Sequence, residues 1–277
     1  MTRFGLGVAG LSAALSILAS NAHAQSATAA LIPHRAVYEL SMVSSNGTRA
    51  PSAARGMIAY DFAGSHCDGY TTTFRQMMEL APSEGPIHVT DMRSTTFEDG
   101  EFKSFRFKVK TLNDGQPSDD VDGNANRAAD GAISIRLSRP KLTKIDFSTG
   151  ILFPTEHMEH MIRAAKAGET TISRQVYDGS DTGQKLYDTL TVIGKETKSE
   201  PPEAPAQNAA LHDVSRWPVT VSYFEAGKEN AKPSYVLSFD LYENGVSRNL
   251  KLDYGDFVLK GELTSFETKG SVAECKK

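Results

Sequence analysis

The chain has 277 residues, 39% of them apolar or aromatic, and carries a formal net charge of −4. That length can bury a full core, either as one large β domain or as two smaller ones. A mildly acidic balance without any basic block argues against nucleic acid or an anionic membrane surface as a partner.

The first elements in chain order form an export signal. Arg3 precedes an apolar run from Leu6 to Leu18, and Ala22-His23-Ala24 supplies a small-x-small cleavage pattern. The reading is a signal peptide over residues 1–24, cut between Ala24 and Gln25. Its apolar run is shorter than the ~20 residues of a spanning helix, and no later stretch approaches that length. No cysteine stands at the cleavage point, which argues against a lipid anchor. The expectation is a periplasmic protein with no transmembrane segment in the mature chain. Losing the leader removes only one basic residue, Arg3, so the net charge moves from −4 to −5.

Cys67 and Cys275 are the two cysteines of the chain. In an oxidising compartment two such thiols are expected to form one disulfide. Closing a loop of about 200 residues is worth roughly 5 kcal/mol in the chain-entropy account, less any native strain. A bridge between near-terminal segments favours a single domain over residues 25–277.

Alternation dominates that domain. Phe105, Phe107 and Val109 share one face while Arg106, Lys108 and Lys110 share the other. Val219, Val221 and Tyr223 repeat the pattern. So do Tyr235, Leu237, Phe239 and Leu241, and then Leu250, Leu252 and Tyr254. A period of two with one polar face predicts antiparallel strands that cover a core on one side. Asn46-Gly47, Asp99-Gly100, Asp114-Gly115, Asp122-Gly123, Asp130-Gly131 and Asn244-Gly245 suit tight turns between them. The clearest hairpin runs from Ser238 to Tyr254. A dozen or more strands in succession, by a rough reading of these signals, predict an all-β meander.

Two segments break the pattern. Met158, Met161, Ile162 and Ala165 recur at helical spacing between Pro154 and Ala167, with Gly168 just beyond. They predict one amphipathic helix whose methionines pack on the sheet, with His157 and His160 facing mainly solvent. Residues 195–213 are polar, proline-rich and aperiodic, and read as a mobile surface loop.

Candidate chemical constellations are weak. Glu156, His157, Glu159 and His160 lack the spacing of H-E-x-x-H and suit a helix N-terminus without metal. Gly179-Ser180-Asp181 has turn chemistry rather than a nucleophile elbow. Asp119 to Asn124 lacks the ligand spacing of a calcium loop. No catalytic, metal or cofactor residue is expected.

Several runs together carry a resemblance: Phe97-Glu98-Asp99-Gly100, Phe153-Pro154-Thr155-Glu156-His157, Val176-Tyr177-Asp178-Gly179-Ser180, Arg216-Trp217-Pro218-Val219-Thr220, and Leu241 through Phe257. They resemble the cell envelope integrity protein EipB family over nearly the whole mature chain, and the Cys67–Cys275 pairing agrees with that family's disulfide. The resemblance implies a long curved antiparallel sheet, a β-spiral or half-barrel, around one helix, similar to periplasmic lipoprotein carriers. It also implies a non-enzymatic role in maintaining the envelope under stress. The expected partner is an envelope lipid, a lipoprotein or a periplasmic protein, held in a β-lined trough. The candidate binding face comprises Phe105, Phe107, Met158, Met161, Tyr235 and Phe239. The alternative is a protein–protein interaction module that binds no small ligand.

Overall fold

The computed structural model describes residues 30–47, 50–228 and 232–270. The leader with its Ala24–Gln25 cleavage point and Cys275 lie outside the described residues. The first half of the domain holds β1 (His34–Ser45), β2 (Ala53–Ser65), β3 (Gly69–Ala81), β4 (His88–Glu98), β5 (Ser104–Asn113), β6 (Gln116–Arg127), β7 (Ile133–Arg139) and β8 (Thr143–Phe147). Next come β9 (Ile151–Leu152), the helix α1 (Pro154–Lys166), β10 (Thr171–Val176) and β11 (Tyr187–Ile193). The chain closes with β12 (Arg216–Glu225), β13 (Tyr235–Tyr242), β14 (Ser247–Asp253) and β15 (Phe257–Thr268).

All 15 strands of the described residues join one sheet. From β1 the chain meanders outward through β8. From β9 it meanders inward through β15, which pairs antiparallel with β1. The order is therefore two wings meeting at the first and last strands. Only β9 and β10 run parallel, and α1 is their crossover.

This order forces curvature. β8 and β9 are the two edges of the sheet, yet only Ser148, Thr149 and Gly150 separate them in sequence. A flat sheet of this size would be roughly 65 Å wide at the usual strand spacing. Four chain steps reach about 14 Å at most. The sheet must curl until its edges nearly meet, and β8 and β9 nevertheless share no ladder. The fold is a nearly closed barrel-like sheet, so the curved mostly-β sheet and its one helix match the sequence reading.

The expected alternation is present. Along β5, Phe105, Phe107 and Val109 are buried while Arg106, Lys108 and Lys110 are exposed. Turns fall at Asp99-Gly100, Asp114-Gly115, Asp130-Gly131 and Asn244-Gly245, and Asn46-Gly47 lies in the β1–β2 connection. Asp122-Gly123 is a correction, because it lies inside β6. A Cβ on Gly123 would stand 2.7 Å from the Phe107 ring and 2.8 Å from Leu137. The glycine marks a close approach at a register shift, not a turn.

Helix α1 corrects a second expectation. His157 is buried and His160 half-buried, because the helix lies across one end of the barrel and is covered on nearly every side. Burial drops the pKa of both rings to about 4, so they are neutral at ordinary pH. Residues that touch α1 come from one set of strand ends: Tyr70 at the start of β3, Glu98 at the end of β4, and Arg127 at the end of β6.

The proline-rich 195–213 segment is docked rather than splayed into solvent. Two short 3-10 turns, Ala204–Gln207 and Ala209–Leu211, bury Ala206 and Leu211. Thr197 and Arg216 exchange backbone hydrogen bonds of 2.9 and 3.1 Å. The Arg248 guanidinium, 7% exposed, is held between Glu203 of this segment and Asp240 of β13. Removing the cation would leave the Glu203 carboxylate unpaired and Asp240 with only the longer Arg216 contact of 3.7 Å, typically costing about 3–5 kcal/mol. Arg248→Met is expected to lower unfolding free energy in urea by that order and to expose the 195–213 segment to protease. Adding Glu203→Gln is expected to recover part of the loss, and full additivity of the two changes would contradict the pairing.

Candidate functional site

The curled sheet encloses more space than its side chains fill. A cavity of about 780 Å³ runs through the barrel, within the roughly 300–1,000 Å³ range of small-ligand sites. Its wall comes from both wings. β1 to β4 contribute Tyr38, Ile58, Tyr60, Phe74, Met78 and Met92, and the second wing contributes Leu237, Phe239, Leu250, Leu252 and Tyr254. Polar atoms in this wall bond to one another. Tyr38 Oη donates to the Ser247 carbonyl at 2.7 Å, and Gln76 Nε2 donates to Tyr254 Oη at 3.1 Å. Burial raises the pKa of Tyr60 to about 12, so that phenol stays neutral.

The floor is α1. Met158 reaches the cavity beside Gly245, while Met161 and Ile162 pack into the larger of two core clusters. The Phe153 side chain at the capping position accepts no hydrogen bond, and of the local amides Glu156 Oε2 accepts only that of Phe153, at 3.2 Å. The first amide groups of the helix need acceptors all the same. Glu98 supplies them from β4, accepting from Thr155 N at 2.8 Å and Glu156 N at 3.3 Å. Glu156 pairs with Arg127 at 2.6 Å, and Tyr70 Oη donates to Glu159 at 3.0 Å. Lys166 pairs with Glu243 at the other end of the helix. The helix is thus fixed to several strand ends at once, and the cavity runs away from it.

The inner partition is a loop. Residues 177–186, between β10 and β11, enter the barrel. Gly179 (φ +70°) lies so close to Phe107 that a Cβ would stand 2.5 Å from its ring. Gly183 (φ +73°) lies equally close to Val121 and Leu137. Only glycine combines that backbone with that approach. Tyr177, fully buried, donates its hydroxyl to the Gly183 carbonyl at 2.7 Å and stacks edge-on against Phe105 and Phe107. One side of the loop completes the second core cluster. The other side presents Asp178, Ser180, Asp181 and Lys185 to the cavity.

The six residues expected to form a binding face therefore divide. Met158, Tyr235 and Phe239 line the cavity. Met161 is core beneath the helix, and Phe105 and Phe107 lie behind the 177–186 loop in the second cluster with Phe153. The loop residues were missed as cavity residues because their turn composition disguised an interior position. The sequence signal they left is the pair Gly179 and Gly183, two and six residues after Tyr177.

A second opening, of about 910 Å³, lies over β4 to β7. Its charged and hydroxyl-bearing lining, including Arg106, Lys108 and Arg136, places it on the outward side of the sheet. Among the described residues no group of three or more His, Cys, Asp or Glu side chains could hold a metal ion. No helix among them is long and apolar enough to cross a membrane. Cys67 sits in the β2–β3 turn, where its N–H donates to Ser65 Oγ at 3.2 Å. With Cys275 outside the described residues, the expected bridge rests on the sequence.

A single curled sheet around an internal cavity, with a helix across one end, defines a barrel-like β protein. The chain belongs to the EipB-like family, whose profile matches residues 25–269. It is 37% identical over 238 residues to the cell envelope integrity protein EipB of Brucella abortus (strain 2308), covering 86% of this chain and 84% of that protein. It is also similar to a crystal structure from Brucella abortus, a beta-barrel-like protein of domain of unknown function DUF1849. That similarity has a TM-score of 0.80 and 36% sequence identity, covering 87% of this chain and 99% of the other.

The helix cap gives a pH dependence with a definite sign. Burial pushes the Glu98 carboxyl up to about 7, opposed by the Thr155 and Glu156 hydrogen bonds. A carboxyl with a raised native pKa binds more protons folded than unfolded between its two pKa values. Its contribution is complete below the unfolded value of 4.5 and is lost as pH rises through about 7. The stability of the native chain relative to Glu98→Gln is expected to fall from pH 4.5 to 7 in urea titrations. Parallel curves for the two proteins would refute it.

Proposed function

We propose that this protein is a non-enzymatic periplasmic factor for cell envelope integrity, which encloses an apolar group in its barrel. The group is a lipid, or the acyl chain of a lipoprotein. The observation that carries this reading is the cavity of about 780 Å³ with its aromatic, aliphatic and methionine wall. Each methylene moved from water into such a wall is worth roughly 0.8 kcal/mol, so an acyl chain gains affinity along its length. Methionines at positions 78, 92 and 158 suit the wall to chains of varied shape. The family relative named for envelope integrity supports the cellular role.

The cavity reading is tested with the neutral fluorophore N-phenyl-1-naphthylamine on detergent-free mature protein. Saturable fluorescence enhancement is expected, with at least a tenfold weaker affinity for Leu252→Trp, which fills the cavity from its wall. The variant's melting temperature should be close to that of the parent. A folded parent protein that fails to bind the probe would favour an interaction module without a small ligand.

Export to an oxidising compartment and the Cys67–Cys275 bridge belong to the same proposal. Protein taken from the periplasm, denatured without reductant and alkylated, is expected to gain no label on either cysteine. Full labelling of both would refute the bridge.

A further inference from the structure

The cavity is not apolar along its whole length. Where the 177–186 loop faces it, Asp178, Ser180, Asp181 and Lys185 stand beside Tyr187 and Tyr235. Among the described residues, Asp178 and Asp181 are the carboxylates and Lys185 the ammonium of a lining otherwise made of aromatic, aliphatic and uncharged polar groups, apart from the buried His34. The ammonium is already engaged: Lys185 Nζ lies 2.8 Å from Asp181 and 3.8 Å from Glu225. Tyr187 Oη also donates to Asp181, at 2.7 Å. Asp181 is therefore a matched partner within the loop.

Asp178 is different. Its Oδ1 accepts from the Ser180 N–H at 2.9 Å, but among the described residues no cation pairs with it. It sits deep in the barrel while keeping surface open to the cavity. Burial raises its pKa, the Ser180 hydrogen bonds oppose that rise, and the neighbouring Asp181 charge adds to it. Asp178 lines the same cavity as Tyr187 and Tyr235, and its charge helps raise their phenol pKa values and that of Tyr223. The three rings contact each other, Tyr223 stacked on Tyr235 at 4.3 Å and Tyr187 edge-on to both. A carboxylate without a cation partner, in a wall shared with tyrosine rings and apolar side chains, is the chemistry that receives an ammonium group. An anionic head would meet two carboxylates whose one lysine is already paired.

We infer that the 177–186 loop reads the polar end of the bound molecule and selects an amphiphile with a cationic, amine-bearing head over an anionic one, Asp178 being its counter-ion. This rests on the cavity reading above and adds the ligand's charge class to it. Phe74, Leu237 and Leu252 would face the chain of such a ligand, and Asp178 its head.

Dodecylamine, dodecanol and dodecanoate share one chain length and differ only in head charge. Their affinities, measured below micelle formation by displacement of N-phenyl-1-naphthylamine from the mature protein, separate the two claims. Dodecylamine is expected to bind at least tenfold tighter than dodecanoate, with dodecanol between them. Asp178→Asn, which retains an acceptor for the Ser180 N–H, is expected to reduce that ratio about tenfold while leaving dodecanol unchanged. Lys185→Met, which removes the lysine and leaves Asp178 in place, is expected to increase the ratio, and it carries the test if Asp178→Asn does not fold. Equal affinities, a preference for dodecanoate, or a ratio lowered by Lys185→Met would overturn the inference while leaving the cavity reading intact. Failure of all three to displace the probe would overturn the cavity reading itself.

Discussion

A link of three residues, Ser148 to Gly150, sets the architecture, because it ties together the outermost strands of a 15-stranded sheet. A sheet so joined cannot lie flat. It has to curl, and its inner face becomes the inside of a container whose volume depends on strand number rather than on side-chain size. The side chains available do not fill that volume. The helix takes one end and the 177–186 loop takes the side of one wing, and what remains is the cavity. Cavity, plug and partition all follow from that single short connection.

The partition and the floor are held in place differently. The floor is held by polar bonds: Glu98 of β4 accepts from the first helix amides, while Glu156, Glu159 and Lys166 of α1 pair with Arg127, Tyr70 and Glu243, so that α1 is aligned by directional bonds. The partition is held by shape. Gly179 and Gly183 let the loop backbone lie directly on Phe107, Val121 and Leu137, and a methyl group at either position would push it off. Close seating of the backbone on one wing is what leaves the polar side chains of the loop aimed at the cavity.

Much of the fold was legible in the sequence, and the reasons are local. Alternation in β5 and the hairpin at Asn244-Gly245 depend on residues a few positions apart, and both occur where the pattern places them. The helix was legible from its spacing, Pro154 and Gly168. Its surroundings were not. One-sided amphipathicity assumes one broad wet face, whereas this helix at the barrel end exposes only Arg163 and Lys166 within its span, so His157 is buried. Asp122-Gly123 carries the signature of a turn, but the glycine answers to Phe107 on the neighbouring strand. Of the candidate binding residues, Met158, Tyr235 and Phe239 reach the cavity while Phe105 and Phe107 are screened from it by a loop distant in sequence. Period-two patterning tells inside from outside. It cannot tell a filled part of the inside from an empty part.

The junction of the two wings has a consequence for how the protein is made. β1 has two neighbours: β2, which follows it at once, and β15, whose residues Phe257–Thr268 are among the last of the domain. A chain arriving in order from its N-terminus can assemble the β1–β8 wing as a series of local hairpins. Throughout that time the far side of β1 keeps an unsatisfied row of backbone donors and acceptors. Only the final strand covers it. The two wings are therefore joined by the last strand of the described residues, and a chain released short of residue 257 would present a long, sticky strand edge in place of a seam.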